Sequence, residues 1–561
     1  MATKRELKII EKLANNNKKL RMEKNSLKMP PNEYVKSVLH MVSVYSIPLS
    51  IFDEDDTFVK LLQPWSEVYD IKLTPKDVVE YIELAAKEIS TVITEKVKEH
   101  LVCVKLDMVA HKSRILFFIH IQYVDNFVTK LHSLGMLELK DIKTVDCIDV
   151  PGLKAQLEQC LQNFGINMNQ VYSIMVDNGA DTLDSPEIVR YLCQEDGELN
   201  DDYPDFEEVF AKISTSMNID LCPTHLLHLA VKEVIKFYGA KLEICRNYKE
   251  PIEDLESPVK THNDDEISSE DSEETEIDSL VKQFPWRSIY KMIENLKTNR
   301  PKNAPEHNFP WDFVENFYAA FTQIVECLNA VESKQMPVGD FFREWLLCEA
   351  KLNQMAHENA VASKCISTLA SKKHDIIGKT VFSTALYIDP RYTYLGSNIL
   401  TDEQKQLAQF KLFFCSNWYG KENESDPVFN IKSENKNIRD DSKYSIISKY
   451  HPGINSREPD KPIEKKIKLL QFGPGITYDK EILPYWEALK SKLPLLSKIS
   501  QCALAIPATQ FSIVRLNDLC HTFKAFANTS CRINLESILL LKLNNDLFKE
   551  INIGFHADQS S

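Results

Sequence analysis

The chain has 561 residues, too many for one compact core and enough for roughly three or four folding units. Its 43% hydrophobic and 27% charged content is that of a globular protein, and only 14 glycines argue against turn-rich β architecture, so an α-rich chain with some strand is expected. Lys and Arg number 67 against 82 Asp and Glu, a net −15 that excludes a broad positive field over the whole molecule, so any nucleic-acid contact would have to be local.

The first 28 residues carry nine Lys/Arg against three Glu. This basic arm reads equally as a solvated tail, an import signal or a DNA contact. Residues 34–50 and 57–100 follow with apolar residues at helical spacing, as in Val78, Val79, Ile82, Ala85, Ala86, Ile89 and Ile93, and predict a small helical domain over 34–100. The period then changes. Leu101–Asp107, Ile115–Val124 and Phe127–Leu139 are runs of branched and aromatic residues and predict three successive antiparallel strands.

Pro151–Phe164 opens on proline, carries Leu153, Leu157, Cys160 and Leu161 on one side and stops at Gly165, which predicts a helix. Val171–Val176 reads as a short strand whose end presents Asp177. The predicted order is thus β-β-β-α-β. The acidic stretches Glu195–Glu208 and Glu253–Asp278 bury too little apolar surface to order themselves and are expected to be loops, with serines in the second open to phosphorylation. From Phe284 to about Ala370 the spacing is helical again, with a stripe of Val314, Phe317, Phe321, Ile324, Val325 and Leu328. Residues 422–465 are polar and read as a linker. Tyr485 to the end is apolar at helical spacing and includes Leu535, Ile538 and Leu539.

Thirteen cysteines, scattered and without a C-x-x-C pair, argue against a disulfide framework or a zinc ribbon and suit a reducing compartment. The N-terminus lacks the apolar core of a secretory signal, and no run reaches the ~18 apolar residues of a membrane helix. A soluble intracellular protein without membrane contact is expected.

Two carboxylates stand at strand ends, Asp107 and Asp177. Aspartates in such places more often cap a loop or helix. Carboxylates on adjacent strands, however, are also what a nuclease needs to clamp two divalent ions that activate an attacking oxygen and stabilise the leaving one. Further blocks favour the second reading: VDNGADT at 176–182, LCPTHLLHLAV at 221–231, PWRSIYKMIENL at 285–296, ALYIDPRY at 385–392 and LPYWEALKSKLPLLSKISQCALAIPAT at 483–509. In this order they resemble the conserved blocks of hAT-superfamily (hobo/Activator-like) DNA transposases, from about residue 34 to 548.

The resemblance implies an α/β chain with an RNase H-like catalytic core interrupted by an all-α insertion domain. It divides the chain into a basic arm (1–33), a small N-terminal helical domain (34–100), the first part of the core (101–234), an acidic loop and helical insertion (235–421), a polar linker (422–480) and C-terminal hAT dimerisation helices completing the core (481–561). It makes Asp107 and Asp177 the first two catalytic carboxylates and ligands of Mg2+ or Mn2+. Cys222 and His225 become a C-x-x-H pair supporting the sheet. By spacing they could be half of a zinc site, but no second pair closes it. Trp286 matches an aromatic that family members place near DNA, although a Trp opening an amphipathic helix is more often core. Trp486, Leu535, Ile538 and Leu539 fall in the dimerisation region.

The sequence also departs from the family. Reading on from IPAT at 506–509, Arg515 matches the family's Arg and Val514 stands where the third catalytic Glu belongs. Valine offers a metal no lone pair. Asp518 lies one turn further, displaced by about 6 Å, too far and too short to substitute well. Val109 replaces the family's usual Trp. The BED zinc finger that opens many relatives is not expected either, because the first 100 residues hold no Cys.

Three readings follow. The first is a host-adopted, catalytically inactive hAT derivative, nuclear, dimerising with itself or a related hAT-derived protein and acting as a DNA- or chromatin-associated transcription regulator, with no cofactor. The second is a transposase still cutting DNA with divalent metal. The third is a protein-interaction scaffold that does not bind DNA.

Overall fold

The computed structural model of the chain describes residues 29–53, 57–111, 114–139, 144, 148–178, 206–217, 219–248, 286–300, 309–393, 397–420, 478–508, 522 and 535–553. The basic arm at 1–28, residues 195–205 and 253–278 of the acidic stretches, the polar segment 422–465 and the positions Val514 and Asp518 lie outside them.

The N-terminal helices are α1 (Pro31–Ser43), α2 (Thr57–Tyr69) and α3 (Pro75–Val97). α3 starts with a capping box: the Asp77 N–H donates to the Thr74 hydroxyl over 3.3 Å and the Thr74 N–H to the Asp77 carboxylate over 3.0 Å, with Pro75 in the first turn. Its buried side is Val78, Ile82, Ala85, Ala86, Ile89, Ile93 and Val97, the positions the helical period selects.

Three antiparallel strands follow, β1 (Val102–His111), β2 (Arg114–Asp125) and β3 (Val128–Leu139). Helix α4 (Val150–Asn163) is capped by the Asp149 carboxylate, which accepts from the Gly152 N–H over 2.9 Å, and the chain turns out of it at Gly165 with φ +70°. β4 (Val171–Asn178) then runs parallel to β1. Helix α5 (Phe206–Met217) leads to the two-residue β5 (Asp220–Leu221), parallel to β4. The sheet order is β3-β2-β1-β4-β5.

Residues 101–108 of β1 and its approach are all buried, because both faces of the sheet are covered. Alternation then assigns each residue to one of two cores. Val102, Val104, Leu106 and Met108, with Phe117, Ile119 and Ile121 of β2, pack against α1, α3, α4 and the two last described helices, α16 (Leu535–Leu543) and α17 (Asn545–Glu550). The N-terminal helices therefore share one core with the sheet and the C-terminal end.

The opposite face, with Cys103 and Met175, meets a helical body. It comprises α6 (Pro223–Phe237), α7 (Gly239–Arg246), α8 (Trp286–Thr298), α9 (Trp311–Glu332), α10 (Val338–Met355), α11 (Ala360–Gly378), α12 (Thr380–Tyr387), α13 (Asp402–Gly420), α14 (Ile482–Leu489) and α15 (Pro494–Leu504). The stripe on α9 is core: Val314, Phe317, Phe321, Ile324 and Leu328 are buried and Val325 packs against them.

A buried ion cluster ties this body together. The Arg391 guanidinium donates from Nε to Asp389 over 2.9 Å, contacts the same carboxylate through a second nitrogen, and donates to Asp340 over 2.7 Å and to the Lys480 carbonyl over 2.8 Å. Gly339 permits it, since a Cβ there would lie 2.1 Å from an Asp389 carboxylate oxygen.

The C-terminal residues expected to meet a partner are mostly spent within the chain. Trp486, Ile538 and Leu539 are at most 1% exposed, because α14 packs on α15 and α16 packs on α3 and β3. Of the four, only Leu535 is half-buried.

Candidate functional site

Asp107 lies on the face of β1 that also carries Cys103 and Lys105, turned toward the helical body. In the ladders its backbone stands opposite Phe118 of β2 and Asp177 of β4. The two predicted aspartates, 70 positions apart in the chain, therefore occupy paired positions on neighbouring strands. Asp177 falls within β4 rather than after it, the strand running two residues beyond its expected end. Val109 pairs with Leu116 one step outward from Met108.

The Asp107 carboxylate is engaged at both oxygens. Lys105 Nζ lies 3.4 Å from Oδ1 and His120 Nε2 lies 3.1 Å from Oδ2, and all three side chains are almost wholly buried. The strands dictate this meeting. Lys105 precedes Asp107 by two residues and shares its face, while His120 faces Lys105 across the β1–β2 ladder. The β2–β3 register shifts between Ile119 and His120, where Gly135 takes φ +153°, so a bulge sits beside the histidine.

This environment is poor for a divalent cation. Mg2+ needs oxygen ligands at about 2.1 Å in octahedral array, and here one oxygen faces the Lys105 ammonium and the other the His120 imidazole. The cation would have to displace Lys105 against like charge. Among the described residues no group of three His, Cys, Asp or Glu side chains is placed to hold a metal. The residues described around Asp107 do not fit a two-metal centre.

Cys222 and His225 stand at the start of α6, directly after β5. The Cys222 N–H donates to the Val176 carbonyl over 3.1 Å, its thiol lies 4.0 Å from the Ala508 carbonyl, and the Thr224 hydroxyl donates to that same carbonyl over 2.7 Å. The segment thus fastens the sheet edge to residues 506–508. Burial holds the His225 imidazole down to about 3, with His228 and Lys232 adding repulsion, so His225 is neutral in the core.

Trp286 is only 5% exposed, which leaves its ring almost no surface for a nucleic acid; the expected DNA contact is a core residue in this fold. Its indole N–H donates to His228 Nδ1 over 3.1 Å, so His228 carries its proton on Nε2, which lies 3.1 Å from Glu332. Arg287 also reaches Glu332. Burial pushes the Glu332 carboxyl up, but the bonds and charges of His228 and Arg287 outweigh it and hold it below its ordinary value.

Lys105 and His120 were not singled out by the sequence reading. Their signal was present as a cation two positions before Asp107 inside an apolar run, and an imidazole inside another. A cavity of about 970 Å3 lies where the β2–β3 hairpin meets α16 and α17, separate from Asp107. No helix among the described residues is long and apolar enough to cross a membrane. No family model matches the chain, and no curated protein does.

Proposed function

We propose that this chain is a host-adopted hAT transposase derivative whose nuclease centre is silent, acting in the nucleus as a DNA- or chromatin-associated regulator. Support for the ancestry comes from the strand order β3-β2-β1-β4-β5 with mixed directions, which is what an RNase H-like core requires, and from the paired positions of Asp107 and Asp177. The C-x-x-H block and the IPAT block, nearly three hundred residues apart, meet through Ala508, as parts of one active-site scaffold should.

One observation carries the silence. The Asp107 carboxylate already has the Lys105 ammonium 3.4 Å from one oxygen and the His120 imidazole 3.1 Å from the other, a cation standing in place where an active enzyme would hold metal. Val514 at the position of the third carboxylate removes another ligand. A dimer, with a second copy or a related chain, would have to use side chains other than Trp486, Ile538 and Leu539, which the core consumes.

The test uses the full chain with Mg2+ or Mn2+ and a terminal-repeat duplex, followed by imaging of the protein in cells. The expected results are no cleavage, no thermal shift with either ion, and nuclear residence. Cleavage that disappears in Asp107→Asn would overturn the silent reading, and exclusive cytoplasmic residence the regulatory one.

A further inference from the structure

Helix α13 is apolar on two sides. Ala408, Leu412, Cys415 and Tyr419 are buried where it packs on α12 and α15, so its share of the core is complete. On the other side Leu407, Phe410 and Phe414 stand three and four residues apart and are 46%, 73% and 48% exposed. An apolar stripe at that spacing is ordinarily what a helix turns into a core. Here it faces outward, a row of large side chains of the kind that marks an interaction surface rather than a lone surface residue.

The stripe has a centre of symmetry. About Phe410 its positions fall in pairs at equal separations: Leu407 and Phe413 three residues away, Gln406 and Phe414 four, Glu403 and Asn417 seven. All of them lie within about 60° of Phe410 around the helix axis. Such a pattern fits a two-fold axis, because in a symmetric pair every contact of one residue with another is matched by its reverse. Two copies of α13 packed antiparallel bring Phe410 against its own counterpart, Leu407 against Phe413 and Gln406 against Phe414, each across the interface. The ends complement one another as well: the Glu403 carboxylate, the one ionised group of the stripe, accepts, and the Asn417 amide donates. Within one chain these two cannot meet, since two heptads separate them by about 21 Å along the helix.

We propose that the outer face of α13 is a homodimer interface, in which the helix packs antiparallel on its counterpart from a second copy of this chain around Phe410. The symmetry of the stripe favours a second copy over an unlike partner: an acceptor and a donor at matched distances from one aromatic centre are complementary to each other. One helix pair is a small interface, below about 1,200 Å2 in total, so the association is weak and depends on concentration. The surface is separate from Trp486, Ile538 and Leu539, and it gives the dimer of the reading above a face that the core has left open. It does not require the transposase ancestry, so DNA cleavage by the protein would overturn that reading and leave this one standing.

The test is sedimentation equilibrium of the full chain from about 1 to 100 μM. The expected result is a monomer–dimer equilibrium that Phe410→Glu, at an exposed position, abolishes without changing the circular dichroism, because it sets two carboxylates against each other on the axis. Asn417→Asp opposes a carboxylate to Glu403 of the second copy and weakens the dimer about tenfold or more. Adding Glu403→Lys to it restores an opposite pair and returns most of the lost affinity. A parent that stays monomeric throughout would overturn the proposal, leaving the stripe to another segment of the chain or to an unlike protein. So would a dimer that Phe410→Glu leaves intact, which would use another surface. A Glu403→Lys/Asn417→Asp protein no tighter than Asn417→Asp alone would overturn it too, because the two helices would then not pair about Phe410.

Discussion

The molecule buries charge in two places, and they are built differently. Around Arg391 the geometry is complementary: a planar fork meets Asp389 through two nitrogens, reaches Asp340 with a third bond, and finishes on a backbone carbonyl. Around Asp107 the contacts are one ammonium at 3.4 Å and one imidazole at 3.1 Å, side chains that meet because strand register places them on one face. The first cluster is shaped to hold α10, the turn at 388–393 and the residues before α14 in one arrangement. The second occupies positions that strand register supplies, with no bidentate fit to the carboxylate.

The largest effect should come from breaking the fitted cluster. Arg391→Met leaves Asp389 and Asp340 buried without their cation, and burial already pushes both carboxyls up, Arg391 opposing it. A loss of about 3–5 kcal/mol is expected, read by urea denaturation. Gly339→Ala should cost less, about 1–3 kcal/mol, because its Cβ would meet Asp389 and force the ion pair apart. A Gly339→Ala protein as stable as the parent would mean that the cluster gives way freely and is not the close fit described.

His225 shows what burial does to an imidazole deep in the helical body, away from the fitted ion cluster. Its folded value of about 3 lies below the ordinary 6.5, so the unfolded chain binds the proton more readily between the two. The stability it contributes is complete above pH 6.5 and is lost as pH falls toward 3, at up to about 1.4 kcal/mol per unit. Thermal midpoints followed from pH 7 to 4 should drop, and His225→Gln should flatten that slope. An unchanged slope would mean that His225 is protonated in the fold.

Asp107→Asn tests the cluster on β1 by the sign of its effect. Two uncompensated carboxylates facing a vacant metal centre repel, and an amide in place of one would stabilise the protein. With Lys105 and His120 already on Asp107, the amide instead strands a buried ammonium, and a destabilisation of about 1–3 kcal/mol is expected. Stabilisation by Asp107→Asn, or a Mg2+-dependent rise in the parent's midpoint that the variant lacks, would return the site to metal chemistry.

What the sequence disclosed follows from how each part is buried. The strands were legible because a sheet covered on both faces becomes a nearly continuous apolar run, whereas the pattern gave only the order β-β-β-α-β and the adjacency of Asp107 and Asp177, now seen in the parallel β1–β4 ladder, came from the family resemblance. The surroundings of Asp107 were not legible in the same way. Lys105 and His120 interrupt apolar runs, and only the period of two, applied to charges as well as to hydrocarbons, puts them on the carboxylate's face. In the C-terminal helices the sequence leaves open what covers an apolar stripe, because it looks the same whether a partner or the chain itself packs on it. Ile538 and Leu539 turn out to be covered by the chain's own α3 and sheet. Val514 lies outside the described residues, so its place beside the sheet rests on the sequence register alone.

The smallest expected effect lies at the edge of the helical body, where Trp286, His228, Glu332 and Arg287 form a charge cluster open on one side. Trp286→Phe keeps most of the ring but deprives His228 Nδ1 of its donor, and a loss of about 1 kcal/mol is expected, since solvent reaches Arg287 and can compensate in part. The readouts separate a core residue from a DNA contact. If Trp286 is core, the midpoint falls and affinity for duplex DNA does not change. An unchanged midpoint with weakened DNA binding would mean that the ring leaves this position to meet nucleic acid, and the indole bond to His228 would then belong to a resting state only.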